Sequence, residues 1–189
     1  MLAVFTPEGI RIPVTRLVAA PLTVVDVKDS IVKVAYGTKK RLNNSILGFL
    51  KKKKLDITPQ HFKQFTLASE TAPEVGSQIT PDLVFTAGDT IHATGKSKGR
   101  GFAGVVKRHG FKKQPIKNSS DRVRAPGSIG AQTPSKVVKG KKMPGHYGNK
   151  TKTILNIKIV SVNKDTSEIF VAGSVPGAIN SWVTLNKAL

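Results

Sequence analysis

The sequence predicts a mainly β fold: a small antiparallel barrel with a short helical excursion and a long, irregular basic loop. Three observations support this fold class. Short β-branched segments alternate with turn residues, one segment is helix-like, and a central window is rich in Lys, Arg and Gly. Many short strands with regular turns are typical of antiparallel sandwiches and barrels. We therefore expect a barrel from residues 1–93 and 154–189, with residues 94–153 inserted between two of its strands.

The predicted strands lie on both sides of the central window. Ile12–Val18, Leu22–Val27 and Ser30–Tyr36 are rich in β-branched residues. After the window, Thr153–Val162 alternates with a period of two, and Glu168–Gly173 returns after a hairpin loop. Shorter segments with strand character are found at 63–67, 90–94 and 182–185.

A helical excursion is expected between about residues 44 and 66. The segment Ser45–Lys52 begins with a residue that can cap a helix, and its final lysines suit the negative end of the helix dipole. Thr58 followed by Pro59 is the pattern of a second helix start, with the threonine as cap. We expect one or two further helical turns after it.

The basic window, residues 94–153, holds 16 of the 31 Lys and Arg but only one of the 11 acids, Asp121. It has 10 of the 17 glycines, and 14 of its 60 residues are apolar. Ordering its backbone would cost on the order of 60–120 kcal/mol at roughly 1–2 kcal/mol per residue. So few apolar residues cannot offset that cost, whereas the phosphates of a structured RNA can. The window therefore predicts RNA binding.

Composition narrows the remaining function classes. The formal net charge is +20 and the isoelectric point is near 10.4, which indicates a polyanionic partner. The absence of cysteine excludes disulfides and thiolate metal sites and fits a reducing cytosol. None of the four histidines is accompanied by an acidic cluster, so no metal site is predicted.

The window also contains motifs that point to other functions. Gly99–Gly104 has the spacing of a dinucleotide fingerprint, but Gly110 and Pro115 interrupt the helix that such a site requires. A loose cationic tail would lack anchors such as Phe102 and Phe111. An architectural DNA-binding protein is a further alternative, although no recognition helix is evident.

An enzyme that modifies or cleaves RNA is the alternative from another class. It would use His109 together with Ser97 or Asp121. The acid lies beside Arg122 and Arg124, where an ion pair is the ordinary expectation.

The window and its flanks resemble a known family. The blocks Gly95–Phe111 and Arg124–Gly145, followed by Val175–Gly177, are similar in sequence and order to the third protein of the large ribosomal subunit, in its bacterial form. Phe5–Thr15 and the Leu-Gly-Phe-Leu-Lys-Lys stretch upstream match it too. The resemblance covers nearly the whole chain.

This resemblance implies a translation-protein β-barrel on the subunit surface and an extension, over about Gly95–Thr151, toward the peptidyl-transferase centre. It implies binding of large-subunit (23S-type) ribosomal RNA, early nucleation of subunit assembly, and neighbouring ribosomal proteins as partners. It also implies a cytoplasmic or organellar ribosome, with no membrane, no self-association and no catalysis. The only associated ions would be structural Mg²⁺ ions of the RNA.

The expected RNA contacts share a positive charge, a small residue or an aromatic ring. They are Lys96, Lys98, Gly99, Arg100, Gly101, Phe102, Gly104, Lys107, Arg108, His109, Phe111, Arg122, Arg124, Lys139, Lys141 and Lys142. The tip is expected at Gly127, Ser128, Ile129, Gly130, Ala131, Gln132, Thr133 and Pro134. Gln132 resembles a glutamine that some bacterial members methylate, although this tip is one residue shorter than is usual in the family.

Overall fold

The computed structural model describes residues 2–19, 21–28, 30–67, 73–117 and 121–188. Within these ranges strand is the predominant regular structure, and the helices are short. The strands are β1 (Leu2–Phe5), β2 (Arg11–Val18), β3 (Leu22–Lys28), β4 (Ile31–Thr38), β5 (Pro59–Thr66), β6 (Gln78–Ile79), β7 (Thr90–Lys96), β8 (Phe102–Ala103), β9 (Gly145–His146), β10 (Thr151–Asn163), β11 (Glu168–Ala172) and β12 (Val183–Lys187). The helices are α1 (Asn44–Lys52), α2 (Pro81–Val84) and α3 (Val105–His109). No described helix is long and apolar enough to cross a membrane.

The strands form two larger sheets and one small one. The orders are β1-β2-β11-β10-β7-β12, β5-β4-β3-β6 and β8-β9. Strand β2 pairs antiparallel with β1 and β11, and β11 pairs antiparallel with β10. In the second sheet β4 lies between β3 and β5, again antiparallel to both. The prediction of a mainly β, antiparallel fold is confirmed.

Buried β-branched side chains form the core of these sheets. Strand β11 shows why the sequence folds this way, because its alternate residues Ile169 and Val171 are buried while their neighbours are partly exposed. Val14 of β2 and Ile159 of β10 are buried as well. Each buried side chain of this size contributes roughly 1.5–3 kcal/mol relative to an exposed one.

The helical excursion is shorter than predicted. Helix α1 begins after Asn43, which makes no side-chain capping bond, and not at Ser45 as expected. Its Leu50 is buried against Val25 and Ala35 of the second sheet. This packing of an apolar face holds a nine-residue helix that would be marginal alone.

The prediction of helical turns after Thr58 is wrong. The residues that follow form β5, whose ladder with β4 begins at the pair Thr38 and Pro59. A proline is tolerated there because the first residue of a strand need not donate to the ladder. Phe62 and Phe65 pack into different apolar clusters, so strand pairing and burial override the local helix-start signal.

An ion pair links α1 to β3. The Lys53 Nζ lies 2.6 Å from Asp26 Oδ1, and this hydrogen bond lowers the pKa of Asp26 from its ordinary value of 3.8. A carboxyl with a lowered folded-state pKa stabilises the fold above its unfolded pKa, and this stabilisation is lost as the pH falls through the folded pKa.

We expect Lys53→Met to reduce the free energy of unfolding by roughly 0.5–1 kcal/mol at pH 6, because the pair is partly exposed. The difference from the parent protein should shrink as the pH falls below the ordinary value of 3.8 and through the lowered folded-state pKa, because Asp26 then becomes protonated. Urea unfolding of both proteins from pH 6 to 2.5 measures it. A difference that stays constant over this range would contradict the assignment.

The chain divides into two compact units. The first comprises Met1–His92, Leu155–Ser174 and Asn186–Leu189, and the second comprises Ala93–Ile154 and Val175–Leu185. The second unit contains the whole basic window.

Candidate nucleic-acid interface

The two ends of the basic window lie side by side as paired arms, residues 94–103 and 145–153. At their base the hydroxyl oxygens of Thr94 and Thr153 are 2.9 Å apart. Next along the arms, the Ser97 N–H donates to the Lys150 carbonyl oxygen at 2.9 Å, and the Ser97 hydroxyl donates to the same oxygen. These bonds order the start of an otherwise polar segment.

The pairing continues away from this base. The Arg100 N–H donates to the Tyr147 carbonyl at 2.9 Å, and the Tyr147 N–H donates to the Gly101 carbonyl at 2.9 Å. The Arg100 guanidinium also lies over the Tyr147 ring, 5.1 Å from its centroid, which adds a cation–π contact. Strands β8 and β9 complete the arms, with Phe102 opposite His146.

Gly148 allows the arms to approach closely. Its φ is +76°, and a Cβ atom at this position would collide with the carbonyl oxygen of Lys98 and come within 3.1 Å of the Gly99 Cα. Only glycine combines this backbone conformation with the absence of a side chain. The close contact therefore depends on a residue outside the predicted set.

Helix α3 is tied, through one carbonyl oxygen, to the residues just before the second arm. Arg108 Nη1 donates to the Met143 carbonyl at 2.6 Å, and His109 Nε2 lies 3.1 Å from the same oxygen. Gly145 leaves room for the guanidinium, since a Cβ atom there would lie 2.8 Å from Arg108 Nη1. Gly110, with φ +71°, ends the helix in the left-handed conformation. Arg108 and His109, which were predicted as RNA contacts, thus have a hydrogen-bond partner within the protein.

The segment beyond α3 has almost no core. Every residue from 126 to 142 is exposed. Among the described residues of this segment, one backbone hydrogen bond joins residues far apart in sequence, from the Gln114 N–H to the Val123 carbonyl at 3.1 Å, and the others form local turns. Packing within the protein therefore supplies little stabilisation to this part of the chain.

The cations of the window are presented to solvent. Of its 16 Lys and Arg, all are exposed except Arg108, which is half-buried. Among the described residues, none of the 16 lies within 4.0 Å of a carboxylate, since the salt bridges found there involve other cations. The expected pairing of Asp121 with Arg122 or Arg124 is accordingly not observed. An unneutralised field of this kind attracts a polyanion.

The remaining predicted residues are also accessible. Phe102 is 78 % exposed, whereas Phe111 is partly buried and its ring lies 6.1 Å from that of His109. At the predicted tip, the Ser128 hydroxyl donates to the Gly130 carbonyl, and the whole of 127–134 is exposed. Gln132 is part of this exposed stretch.

The alternative catalytic set is not assembled. His109 contacts Met143, and Ser97 donates to Lys150, so no hydrogen bond in the described chain joins the histidine to Ser97 or Asp121. The described residues also contain no group of three or more His, Cys, Asp or Glu that could hold a metal ion. The described residues of this unit present charge and backbone groups, and they do not bring His109, Ser97 and Asp121 together.

Two residues that build this interface, Gly145 and Gly148, were not predicted from the sequence. Met143 and Tyr147 were expected only as apolar anchors spaced through the charges, not as partners of Arg108 and Arg100. Their roles come from contacts across the two arms, and a glycine-rich composition does not distinguish one glycine from another. The local sequence signal was Tyr147, an aromatic residue in the short stretch that Gly145 and Gly148 bound near the end of the window.

Comparison with known proteins gives a consistent result. Residues 14–169 match the family model of ribosomal protein L3. The chain is 39% identical to the large ribosomal subunit protein uL3 of Brachyspira hyodysenteriae, with 100% of this chain and 90% of the relative aligned. It is 39% identical to the uL3 of Legionella pneumophila strain Corby and 38% identical to that of Desulfitobacterium hafniense, with 100% of this chain and 92% of each relative aligned.

Proposed function

This chain belongs to the ribosomal protein L3 family, and on that basis we propose that its basic window binds the RNA of the large ribosomal subunit. The protein is a structural constituent of that subunit, of the bacterial type, in the cytoplasmic ribosome. As a member of a structural family it is not an enzyme, so the catalytic alternative based on His109 is set aside.

One observation carries the proposal. Fifteen exposed cations in a window of 60 residues have no carboxylate partner within the described chain, and the segment from 126 to 142 has no buried residue. Such a segment gains little by packing on itself, whereas it gains charge-assisted contacts and counterion release by lying among phosphates. RNA is the polyanion that a ribosomal subunit supplies.

The residues of the window divide into two roles. The paired arms fix the direction in which the basic window leaves the sheet. Arg108 and His109 of α3 act as positioning residues, because both contact the Met143 carbonyl. The exposed cations contact phosphates, and exposed Phe102 stacks on an unpaired base. The cations proposed for this second role are Lys96, Lys98, Arg100, Lys107, Arg122, Arg124, Lys139, Lys141 and Lys142.

The exposed tip completes the proposal. Its residues, 127–134, are all exposed and are small or uncharged, so they suit close insertion between RNA helices near the peptidyl-transferase centre. We propose that this insertion nucleates folding of the RNA early in assembly, alongside neighbouring ribosomal proteins. Gln132 remains the proposed methylation site.

The test is the salt dependence of RNA binding by the full chain. If roughly eight cations each neutralise a phosphate, the slope of log K against log salt is expected near −5 to −7 for a transcript of bacterial large-subunit ribosomal RNA. Filter binding between about 50 and 200 mM salt measures it.

Two comparisons make this test specific. Duplex DNA of equal charge should bind more weakly, because it lacks the folded RNA surface that the segment fits. A slope near zero, or equal affinity for DNA and RNA, would contradict the proposed function.

A further inference from the structure

A second cationic cluster lies in the first unit, at the end of α1. Residues 39–54 contain seven Lys and Arg and no acid, a higher density of cations than in the basic window. Lys53 is used internally, by Asp26. Lys51, Lys52 and Lys54 are exposed, and in the described chain none of them lies within 4.0 Å of a carboxylate. These three residues are called the α1 lysine cluster below.

The backbone at Lys54 is unusual. Helix α1 ends in a Schellman motif: the Leu55 N–H donates to the Leu50 carbonyl, and the Lys54 N–H donates to the Lys51 carbonyl, both at 3.1 Å. This motif places Lys54 in the left-handed conformation, with φ +55°. Glycine is the usual residue at that position, because a Cβ atom makes the conformation unfavourable.

Helix stability does not explain this lysine. A positive charge near the carboxyl end of a helix interacts favourably with the helix dipole, but Lys51 and Lys52 already supply two such charges in the last turn. Glycine at 54 would remove the strain and leave those two charges in place. Strain that the fold does not require points to a function of the side chain that carries it.

The chemistry of the cluster favours RNA as its partner. A membrane-surface helix needs an apolar face that is free to insert, but the apolar face of α1 packs into the protein through Ile46, Phe49 and Leu50. Lysine ammonium groups are compact point charges that suit phosphates more than base edges. Lys39, Lys40 and Arg41 add exposed cations just before the same excursion.

We propose that the α1 lysine cluster is a second RNA-binding surface of this protein, which contacts the phosphate backbone of the ribosomal RNA independently of the basic window. This inference rests on the proposed function of the window, since both would bind the RNA of one subunit. The strain at Lys54 is offset by the charge that its side chain contributes to this contact, which explains why lysine and not glycine stands at this position.

The proposal predicts opposite effects of one substitution. Lys54→Gly should raise the Tm by about 2–4 °C, because it relieves the left-handed strain. It should also weaken binding of the full chain to a bacterial large-subunit RNA transcript by about 5-fold near 0.1 M salt, because one phosphate contact is lost. Lys54→Asn, which tolerates the same backbone without the charge, should weaken binding equally.

Further variants separate this inference from the proposed function. The triple change Lys51→Gln, Lys52→Gln and Lys54→Gly should reduce the salt slope by about 2–3, whereas Lys158→Gln, an exposed lysine on β10, should change affinity less than 2-fold. Lys54→Arg should retain full affinity.

The outcomes are distinct. If wild-type binding depends on salt and weakens on Lys98→Gln, while the cluster variants bind like wild type, the inference on α1 is overturned and the proposed function stands. In that case the cluster would be assigned to an acidic protein surface. If the wild-type chain does not bind the RNA transcript, both are overturned.

Discussion

Gly148→Ala is expected to loosen the paired arms and to weaken RNA binding by roughly 30- to 150-fold. The new methyl group would collide with the Lys98 carbonyl oxygen, and the backbone at φ +76° disfavours any side chain. Strain and backbone displacement together should cost about 2–3 kcal/mol, and RNA binding would have to supply that free energy. The measurements are RNA affinity and hydrogen exchange at the Arg100 and Tyr147 amides, whose protection should fall.

Two other glycines provide matched controls. Gly130 has no positive φ and open space around its Cβ position, so Gly130→Ala tests a methyl group alone. Gly140 has φ +83° but also open space, so Gly140→Ala tests backbone strain without a collision. We expect the loss of amide protection to increase in the order Gly130, Gly140, Gly148. Equal loss in all three would show that the close contact between the arms is unimportant.

Replacing Lys139, Lys141 and Lys142 by glutamine is expected to weaken RNA binding by about 100-fold near 0.1 M salt. All three lysines are exposed and have no carboxylate partner among the described residues, so their charge is free to neutralise phosphates. The salt slope should become shallower by about 2–3, and the Tm should change by less than about 2 °C. Filter binding and thermal unfolding of the same preparations measure both.

A charge-matched triple variant makes this test specific. Lys28, Lys63 and Lys158 are exposed lysines of the first unit, outside both the basic window and the α1 lysine cluster. Their replacement by glutamine lowers the net charge equally and should cost less than about 5-fold in affinity. If both triple variants lose the same affinity, RNA binding depends on the total charge of the protein and not on the position of the cations in the basic window.

The strands that could be predicted are those with an alternating pattern of apolar residues within their own sequence. Strand β11 alternates buried and partly exposed residues, and this period of two is visible without any tertiary contact. Strands β8 and β9 are two residues long, too short to have a period, and they exist because Phe102 and His146 pair across the arms. The first half of β5 was misread because Thr58 and Pro59 have a helix-start pattern, which pairing with β4 overrides, whereas strand character was predicted from residue 63 onward.

The candidate interface was predictable to the same extent. Charge and glycine content identify the basic window, because both are properties of composition. They do not distinguish Arg108, which donates to Met143, from the cations exposed to solvent. Nor do they identify Gly148 or the left-handed Lys54, whose importance arises from backbone geometry. The expectation that Gly110 interrupts a helix is confirmed, because α3 stops at His109 and Gly110 caps it in the left-handed conformation.

The exposed segment from 126 to 142 has a consequence for the life of the protein in the cell. Polypeptide without buried residues, and rich in lysine, is the kind that proteases cleave first. A newly made copy that finds no ribosomal RNA should therefore be short-lived, while an incorporated copy is shielded. The amount of protein that persists would then follow the supply of RNA, so that turnover itself keeps the two components in proportion.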